Sequence, residues 1–228
     1  MSSGNISPER KPILISDIDA FLIDPREINA HWLPGEPRYL DLPADESAMA
    51  EVYGMNLHEF YRKKDKFLNS SEAILIPPIK DSPEVLGLVA IRFEIIFASA
   101  RVPNVHESTL AWLEEHYGNA VGNLQEELKL FTIGSEKTHY LDSKEAIYRA
   151  FGAEAMADDK RQHHIEARNA GVSTRIYYQD SRLGGESRSG ATPEGSHLAT
   201  NFQEVKTIIL PPDYSNGDDT PKVTSADL

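Results

Sequence analysis

The chain has 228 residues, of which 40% are hydrophobic and 26% are charged, a composition typical of one globular domain with room for an insertion. Its formal net charge of −13 disfavours broad nonspecific binding to nucleic acid, although a small basic patch is compatible with that charge. The lack of cysteine excludes disulfides, thiolate zinc sites and a cysteine nucleophile. The polar N-terminus lacks a secretory signal pattern and no apolar stretch approaches membrane-spanning length, so we expect a cytoplasmic protein that binds no membrane.

Short apolar runs alternate along the chain with segments that have helical spacing or helix caps. The apolar runs predict strands at 12–16, 93–98, 128–133, 153–157 and 174–178. The capped and periodic segments predict helices at 46–67, 82–89, 107–116, 143–151 and 163–169. Strands that alternate with helices indicate an α/β fold with a Rossmann-like, mostly parallel sheet flanked by helices.

Residues 25–75 break this alternation, because their prolines and helical stretch do not form a strand–helix–strand repeat. We interpret them as an insertion into a domain that spans residues 12–210. The polar segment 1–11 is predicted to be flexible, and the tail 211–228 is predicted to be disordered because it has few apolar residues. Residues 181–200, rich in Gly, Ser, Arg and Glu, are predicted to form an exposed loop.

Asp17 and Asp19 directly follow the first predicted strand. Their spacing of two residues places both carboxylates on the same side of an extended chain. Ligands of open α/β sheets bind just beyond the carboxyl ends of the strands, which is where this pair lies. Two carboxylates there can hold a hard cation, or one can attack a substrate while the other moves a proton. The alternative is a turn after a strand, since Asp is common in turns.

Further polar residues are predicted near the same edge of the sheet. Ser99 and Arg101 follow the second strand, Asp158-Asp159 follow a later strand, and Lys144 begins a helix between them. Each of these residues also fits an ordinary role, such as a strand-end serine, a surface ion pair, a solvated lysine or a helix cap. As a set they suit phosphoryl transfer. Acidic residues can hold Mg²⁺ against the charge of a phosphate, and lysine and hydroxyl groups can bind its oxygens.

Taken in chain order, these residues resemble the four motifs of the haloacid dehalogenase-like (HAD) phosphohydrolases. The four matching positions are Asp17-Ile18-Asp19, Ser99, Lys144 and Asp158-Asp159. The stretch 98–113 is similar to the second motif of phage-type HAD phosphatases and polynucleotide 3′-phosphatase domains, and the stretch 158–172 is similar to the acidic motif and its helix. The resemblance covers roughly residues 12–178 and implies a Mg²⁺-dependent phosphoric monoester hydrolase.

The resemblance also implies a role for each acidic residue. Asp17 would attack phosphorus and form an aspartyl-phosphate, and Asp19 would protonate the leaving group and then activate water. Mg²⁺ would be held by Asp17, by the backbone carbonyl of Asp19 and by Asp158, with Asp159 assisting directly or through water.

Ser99 and Lys144 would hold phosphate oxygens, and Arg101 is a further candidate ligand of the substrate phosphate. The substrate is expected to be a nucleotide, a polynucleotide end or another small phosphate ester. The oligomeric state does not follow from these motifs.

Ala20-Phe21 departs from the family pattern, which usually has a Gly followed by Thr or Val after the second Asp. A position that needs positive φ would resist Ala20, and Phe21 is bulky for a tight loop. This departure keeps open a catalytically impaired HAD-like binding protein. A receiver-like phosphoacceptor switch is less well supported, because its acidic pair comes first and its lysine last. His163-His164 are interpreted as ordinary helix residues rather than transition-metal ligands.

The insertion between the first two motifs is predicted to be a cap that selects the substrate. Its aromatic residues are Trp32, Tyr39, Tyr53, Phe60, Tyr61 and Phe67. We expect at least one of them to face the site and to contact the leaving group of the substrate.

Overall fold

The first apolar run forms a strand at the centre of the molecule. The computed structural model describes residues 10–33, 46–122, 130–133, 142–179 and 191–210. In it, β1 (Ile13–Ser16) has all four residues buried, as expected of a central strand covered on both faces. The predictions for residues 1–9, for the first half of the 181–200 loop, for the tail 211–228 and for Tyr39 in the insertion concern residues outside these ranges.

Five further strands pair with β1 in a single sheet. They are β2 (Glu94–Ser99), β3 (Leu130–Thr132), β4 (Ala155–Asp158), β5 (Thr174–Tyr178) and β6 (His197–Ala199). Every pair is parallel, and the order across the sheet is β3-β2-β1-β4-β5-β6. The predicted Rossmann-like α/β fold is therefore confirmed. The chain builds outward in one direction from β1 and then in the other from β4, which makes the β1–β4 pair the topological switch point.

The described helices lie in the connections between these strands, except the last one, which follows β6. They are α1 (Pro25–Trp32), α2 (Glu46–Val52), α3 (Leu57–Leu68), α4 (Ser82–Ala90), α5 (His106–Val121), α6 (Lys144–Phe151), α7 (Arg161–Asn169) and α8 (Phe202–Ile209). Short 3₁₀ turns form at Ala73–Leu75 and Pro103–Val105. None of the described helices combines the length and the apolar character that crossing a membrane requires.

Local caps and glycines explain the helix boundaries, both those that were predicted correctly and those that were not. Ser143 caps α6 by accepting a hydrogen bond from the Ala146 amide, and Gly152 ends that helix at φ +62°. The helix predicted over 46–67 is instead two helices, because Gly54 turns the chain at φ +64°. The predicted loop 181–200 contains the short strand β6 near its end.

The start of α4 differs from the prediction that Ser82 is its N-cap. The N-cap position belongs to Asp81, which adopts φ +69°. The Ser82 hydroxyl points elsewhere: it donates to the Ile79 carbonyl at 2.6 Å and lies 2.6 Å from the hydroxyl of Tyr117. The serine therefore joins α4 to α5 rather than capping a helix.

The sheet separates two apolar layers, as the alternation of side chains along a strand requires. Leu14 faces the larger core, which includes side chains of α4, α5 and α8. Ile13 and Ile15 face the other core, which includes side chains of α6 and α7. With helices on both faces, polar groups that follow the strands can meet only at the ends of the sheet.

Helices α1 to α3 lie in the segment between β1 and β2 and build a small core of their own. Its buried members are Leu33, Met49, Ala50, Met55 and Phe60. Phe67 and Leu68, at the end of α3, join the larger core instead. The inserted segment is thus partly an independent cluster and partly anchored to the main body of the protein.

Candidate active site

The candidate site lies at the carboxyl ends of β1 and β4, where the topology predicts a ligand site. The Asp17 amide donates to the Ala157 carbonyl at 2.9 Å, so the chain is still paired with β4 as it leaves β1. Asp158 is the last residue of β4 and Asp159 follows it. These two neighbouring strand ends bring three carboxylates together from positions about 140 residues apart in the sequence.

Lys144 joins the two strand ends through a buried three-residue ion cluster. Its ammonium lies 2.6 Å from Asp17 Oδ1 and 2.6 Å from Asp158 Oδ2, with only 1% of the lysine side chain exposed. Burial opposes protonation of this lysine, but Asp158 and Asp17 raise its pKa, so it is charged. Lys144, at the start of α6, thus places a fixed positive charge between the carboxylates of Asp17 and Asp158.

Asp158 is the most heavily bonded of the acidic residues. Its Oδ1 accepts from the Lys160 amide at 2.8 Å, and its Oδ2 lies 2.8 Å from His163 Nδ1 as well as close to Lys144. Nε2 of His164 lies 3.1 Å from the Asp158 backbone carbonyl. Burial opposes ionisation of Asp158, but Lys144 and His163 hold its pKa below the usual value.

Asp17, Asp158 and Asp159 form a group whose donor atoms fit a hard divalent cation. One carboxylate oxygen from each lies within 4.8 Å of the others, and all three residues are buried. Asp159 Oδ1 is buried and has no hydrogen-bond partner among the described residues. Burial and nearby acids raise the pKa of Asp17 and raise that of Asp159 well above its usual value. Such mutual repulsion is what a bound cation would relieve, and oxygen donors are those that Mg²⁺ prefers.

Asp19 sits in a tight turn just beyond β1. The Ala20 amide donates to the Ile23 carbonyl at 2.9 Å, and the Leu22 amide donates to the Ile18 carbonyl at 2.8 Å. Ala20 adopts φ +61°, a backbone conformation that a residue with a Cβ disfavours. Phe21 does not obstruct this turn. Its fully buried ring packs against the rings of Tyr178 and Phe202, with centroids 5.2 and 5.1 Å away.

Arg101, which follows the end of β2, forms a bidentate ion pair with the Asp19 carboxylate. Its Nε and one terminal nitrogen donate to the two carboxylate oxygens at 2.9 and 2.7 Å, and its other terminal nitrogen donates to Thr109 Oγ1 at 3.0 Å. Ser99 Oγ accepts from the Arg101 amide at 3.1 Å, which fixes the start of this segment. Burial opposes ionisation of Asp19, but Arg101 brings its pKa below the usual value, with smaller contributions from Lys64 and Lys160.

The predicted residues thus fall into two groups at one edge of the sheet. Lys144 contacts Asp17 and Asp158, whereas Arg101 contacts Asp19 and also, through its backbone, Ser99. The Asp19 side chain is paired with Arg101 and is not part of the cluster of three carboxylates. The catalytic, phosphate-binding and metal-binding roles given to these residues stay predictions.

The sequence analysis gave no role at the site to four residues that interact with its acidic groups or with Arg101. These residues are His163, Thr109, Lys64 and Lys160. The position of His163 one helical turn after the acidic pair was a usable signal, because the first turn of a helix after a strand faces the strand end. Lys160 adjoins the pair directly and was passed over. Lys64 gave no signal, since it is one of several basic residues in a charged helix whose placement depends on tertiary packing.

Comparisons by sequence find no match to a protein-family model or to a curated protein. Comparisons by structure do find matches. A haloacid dehalogenase-like family hydrolase from Streptococcus pneumoniae is similar with a TM-score of 0.56 and 11% identity, over 86% of this chain and 96% of that one. A HAD family hydrolase from Deinococcus radiodurans R1, with bound phosphate and sodium, is similar with a TM-score of 0.54 and 12% identity, over 86% and 93%.

The chain therefore has the haloacid dehalogenase-like fold, over nearly the full length of these structures. The predicted resemblance to this superfamily is confirmed at the level of the fold. The finer resemblance to phage-type and polynucleotide 3′-phosphatase domains stays a prediction.

Proposed function

We propose that the protein is a Mg²⁺-dependent phosphoric monoester hydrolase that acts through an aspartyl-phosphate intermediate. The observation that carries this proposal is the meeting of Asp17, Lys144 and Asp158 at the β1–β4 switch point, with Asp159 adjoining and Asp19 two residues beyond the nucleophile. A nucleophile, an acid–base group, cation ligands and a fixed ammonium at one strand end are the parts that phosphate ester hydrolysis needs.

Asp17 is the proposed nucleophile. One of its carboxylate oxygens forms a bond to phosphorus as the bond from phosphorus to the leaving oxygen breaks. Water then attacks the phosphorus of the aspartyl-phosphate and returns the Asp17 carboxylate with release of inorganic phosphate. The Lys144 contact supports this role, because it fixes the carboxylate in one orientation and stabilises its ionised form against the effect of burial.

Asp17, Asp158 and Asp159 are the proposed Mg²⁺ ligands, together with the backbone carbonyl of Asp19. The bound cation supplies positive charge that lets a phosphate dianion approach a carboxylate. The partnerless oxygen of Asp159 and the raised pKa values of Asp17 and Asp159 support this assignment.

Asp19 is the proposed general acid and then general base. It donates a proton to the leaving oxygen in the first step and takes a proton from the attacking water in the second. Its ion pair with Arg101 favours the ionised form. We propose that phosphate oxygens compete for the Arg101 guanidinium when substrate binds, which weakens its pairing with Asp19 and lets the carboxyl take up a proton.

Lys144 and Ser99 are the proposed ligands of the remaining phosphate oxygens, with Arg101 as a third. The substrate is proposed to be a nucleotide, a polynucleotide end or a small phosphate ester, and helices α1 to α3 are proposed to form the cap that selects it. Bound phosphate in the Deinococcus radiodurans structure supports a phosphate ligand for this fold.

Hydrolysis of a panel of phosphate monoesters with Mg²⁺, and with Mg²⁺ removed by EDTA, tests the proposal. We expect release of phosphate from at least one ester, lost with EDTA and restored by excess Mg²⁺. Full activity in EDTA would contradict the metal assignment. A well-folded protein that binds esters without hydrolysing them would instead favour the catalytically impaired alternative.

A further inference from the structure

The Arg101 guanidinium donates to two side chains, and it uses different nitrogens for each. Nε and one terminal nitrogen donate to the two carboxylate oxygens of Asp19 at 2.9 and 2.7 Å. The other terminal nitrogen donates to Thr109 Oγ1 at 3.0 Å. In the described part of the chain, these are the side chains that accept from this arginine. Because the guanidinium is planar and rigid, contacts along two of its edges fix both its position and its plane.

The two acceptors differ in how firmly they are held. Asp19 lies in a turn and its side chain is 29% exposed, whereas Thr109 is 1% exposed and lies in α5. Trp112 and Leu113, three and four residues later in α5, are buried members of the larger core. The Trp112 indole also donates to the Ile76 carbonyl at 2.8 Å, which ties the helix to the chain that leads into α4. Thr109 therefore holds its hydroxyl on a rigid support.

The hydroxyl of Thr109 is the feature of this position that calls for an explanation. Valine has nearly the same shape and would fill the same space without burying a polar group. Threonine buries a hydroxyl there, which is unfavourable unless the hydroxyl has a hydrogen-bond partner. Its partner is the charged guanidinium, and hydrogen bonds to charged groups are stronger than those between neutral groups. Thr109 thus makes a contact that valine could not make.

The proposed reaction requires Asp19 to release Arg101 while the guanidinium stays in the site. When phosphate oxygens take the place of the Asp19 carboxylate, the bond to Thr109 is on a nitrogen that this exchange does not involve. The Arg101 amide is also held, by Ser99 Oγ at 3.1 Å, but that bond fixes the backbone and not the guanidinium. Thr109 is therefore the side chain that can hold the guanidinium during the exchange.

We infer that Thr109 is a positioning residue for Arg101, and that its hydroxyl keeps the guanidinium aimed at the substrate phosphate while Asp19 acts on the leaving oxygen. This inference rests on the proposed function and adds to it a residue that acts through Arg101. Nε and the terminal nitrogen that Asp19 releases can then bind two phosphate oxygens at once, an arrangement that arginine favours. Positioning in advance reduces the entropy that Arg101 loses when phosphate binds, so it strengthens binding without a contact to the phosphate.

The experiment measures how tightly phosphate binds when this hydroxyl is removed. Thr109→Val keeps the shape of the side chain and deletes only its hydrogen bond. We expect the Kd of inorganic phosphate, measured by calorimetry with Mg²⁺ present, and the KM of nitrophenyl phosphate to rise about 3- to 10-fold, as for one lost hydrogen bond. The kcat should change less than about twofold, because a contact made both in the bound substrate and in the transition state affects binding alone.

Two further variants serve as controls. Thr109→Ser keeps the hydroxyl and should bring both constants back to within about twofold of wild type. Ser108→Ala removes the neighbouring hydroxyl on the same helix, which bonds to the Val105 carbonyl and to Asn69. It should leave both constants unchanged, because Arg101 donates to Thr109 and not to Ser108. Melting temperatures show whether each variant is folded. If Thr109→Val is not, Thr109→Ala removes the hydroxyl without placing a methyl group against the guanidinium.

A double-mutant cycle with Arg101→Met separates positioning from a purely structural role. If Thr109 acts through the guanidinium, Thr109→Val should have little further effect on phosphate binding or on kcat/KM once Arg101 has been replaced. A loss by the same factor in both backgrounds would mean that the hydroxyl only supports the fold around the site, and the inference would be wrong. Unchanged Kd and KM in a folded Thr109→Val would overturn it as well.

The outcomes also separate this inference from the proposed function. If wild type hydrolyses phosphate esters with Mg²⁺ and Thr109→Val matches it, the proposed function stands and only the positioning role fails. If wild type hydrolyses no ester but binds phosphate, the proposed function fails and the Kd values still test Thr109 and Arg101. If wild type neither hydrolyses esters nor binds phosphate, both the inference and the proposed function fail.

Discussion

The Asp17 side and the Asp19 side of the candidate site differ in how firmly they are held. Asp17 and Asp158 lie at paired strand ends, share a buried lysine and have side chains that are 7% and 1% exposed. Asp19 lies in a turn, has a side chain that is 29% exposed, and is held by one arginine from the end of β2. The first group is fully buried, whereas Asp19 in the second group is half-buried.

This difference matches the tasks proposed for the two sides. A nucleophile and its cation ligands need fixed geometry, which strand ends supply. An acid–base group must change its protonation state and admit a leaving group, and a partly exposed turn with one exchangeable partner permits that. The predictions below test whether the two sides are as different as their burial suggests.

The largest effect is expected for Asp17→Asn. The amide lacks the charged oxygen that attacks phosphorus, so hydrolysis should fall by more than about 10⁴-fold, as for other nucleophile replacements. The fold should persist, because Asn keeps the size of Asp and can still accept from Lys144. Single-turnover assays with a phosphatase-free preparation measure the loss. Turnover within tenfold of wild type would exclude the covalent route.

Asp19→Asn should reduce turnover by about 10²- to 10⁴-fold, the usual contribution of a general acid–base group. The loss should be smaller for nitrophenyl phosphate than for an alkyl phosphate, because a good leaving group needs less protonation. Measurement of kcat for both esters gives the comparison. Equal losses would count against Asp19 as the acid.

Lys144→Met should cost stability on the buried side of the site. Removal of the ammonium leaves Asp17 and Asp158 buried without their shared partner, and breaking a buried ion pair costs about 3–5 kcal/mol. Urea unfolding without metal measures this loss. Mg²⁺ should stabilise the variant more than wild type, since it restores positive charge among the acids. Equal stabilisation of both proteins would place the cation elsewhere.

Arg149→Met is a matched control for that variant. Arg149 pairs with Glu145 on the same helix and also donates to the Asn169 carbonyl at the end of α7, but its side chain is 55% exposed. An exposed pair of this kind contributes about 0.3–0.5 kcal/mol. A similar cost for the two substitutions would mean that the Lys144 cluster is solvated rather than buried.

The buried side was also the more predictable one from sequence. Apolar runs that end in Asp17 and Asp158 identify strand ends, and parallel topology brings such ends to one edge whatever the intervening chain does. The pairing of Lys144 with two acids at once was not predictable, because it depends on the orientation of α6. Arg101 was expected to contact phosphate, and its pairing with Asp19 appears only when β1 and β2 are placed side by side.

The inserted helices were the least predictable part. Gly54 divides one predicted helix into two. A single glycine can either continue a helix at a modest cost or turn the chain, and tertiary contacts decide which of the two occurs. Among the described aromatic residues of this segment, Phe60 packs in the small core and Phe67 in the larger one. The expectation that an aromatic side chain contacts the leaving group stays a prediction.

The smallest effect is expected at the turn that carries Asp19. Ala20 occupies φ +61°, and this conformation costs about 1–2 kcal/mol for a residue with a Cβ. Ala20→Gly removes that cost. It also loses a buried methyl group worth about 0.8 kcal/mol and adds about 0.5–1 kcal/mol of backbone entropy to be lost on folding. These contributions nearly cancel, so the free energy of unfolding should change by less than about 1 kcal/mol.

Ala20→Val uses the same position to test whether Asp19 depends on the turn. A β-branched residue is a true outlier at positive φ, so we expect a cost of about 1–3 kcal/mol and a displaced Asp19. Turnover should therefore fall in Ala20→Val and stay near wild type in Ala20→Gly. Mg²⁺ should still stabilise Ala20→Val, although less than Ala20→Gly, because the three carboxylate ligands are untouched while the Asp19 carbonyl is displaced. Equal stability and turnover of the two variants would mean that the turn does not hold Ala20 at positive φ. A complete loss of Mg²⁺ stabilisation in Ala20→Val would mean that the carboxylates of the buried side are displaced as well, so that the two sides of the site are coupled rather than separate.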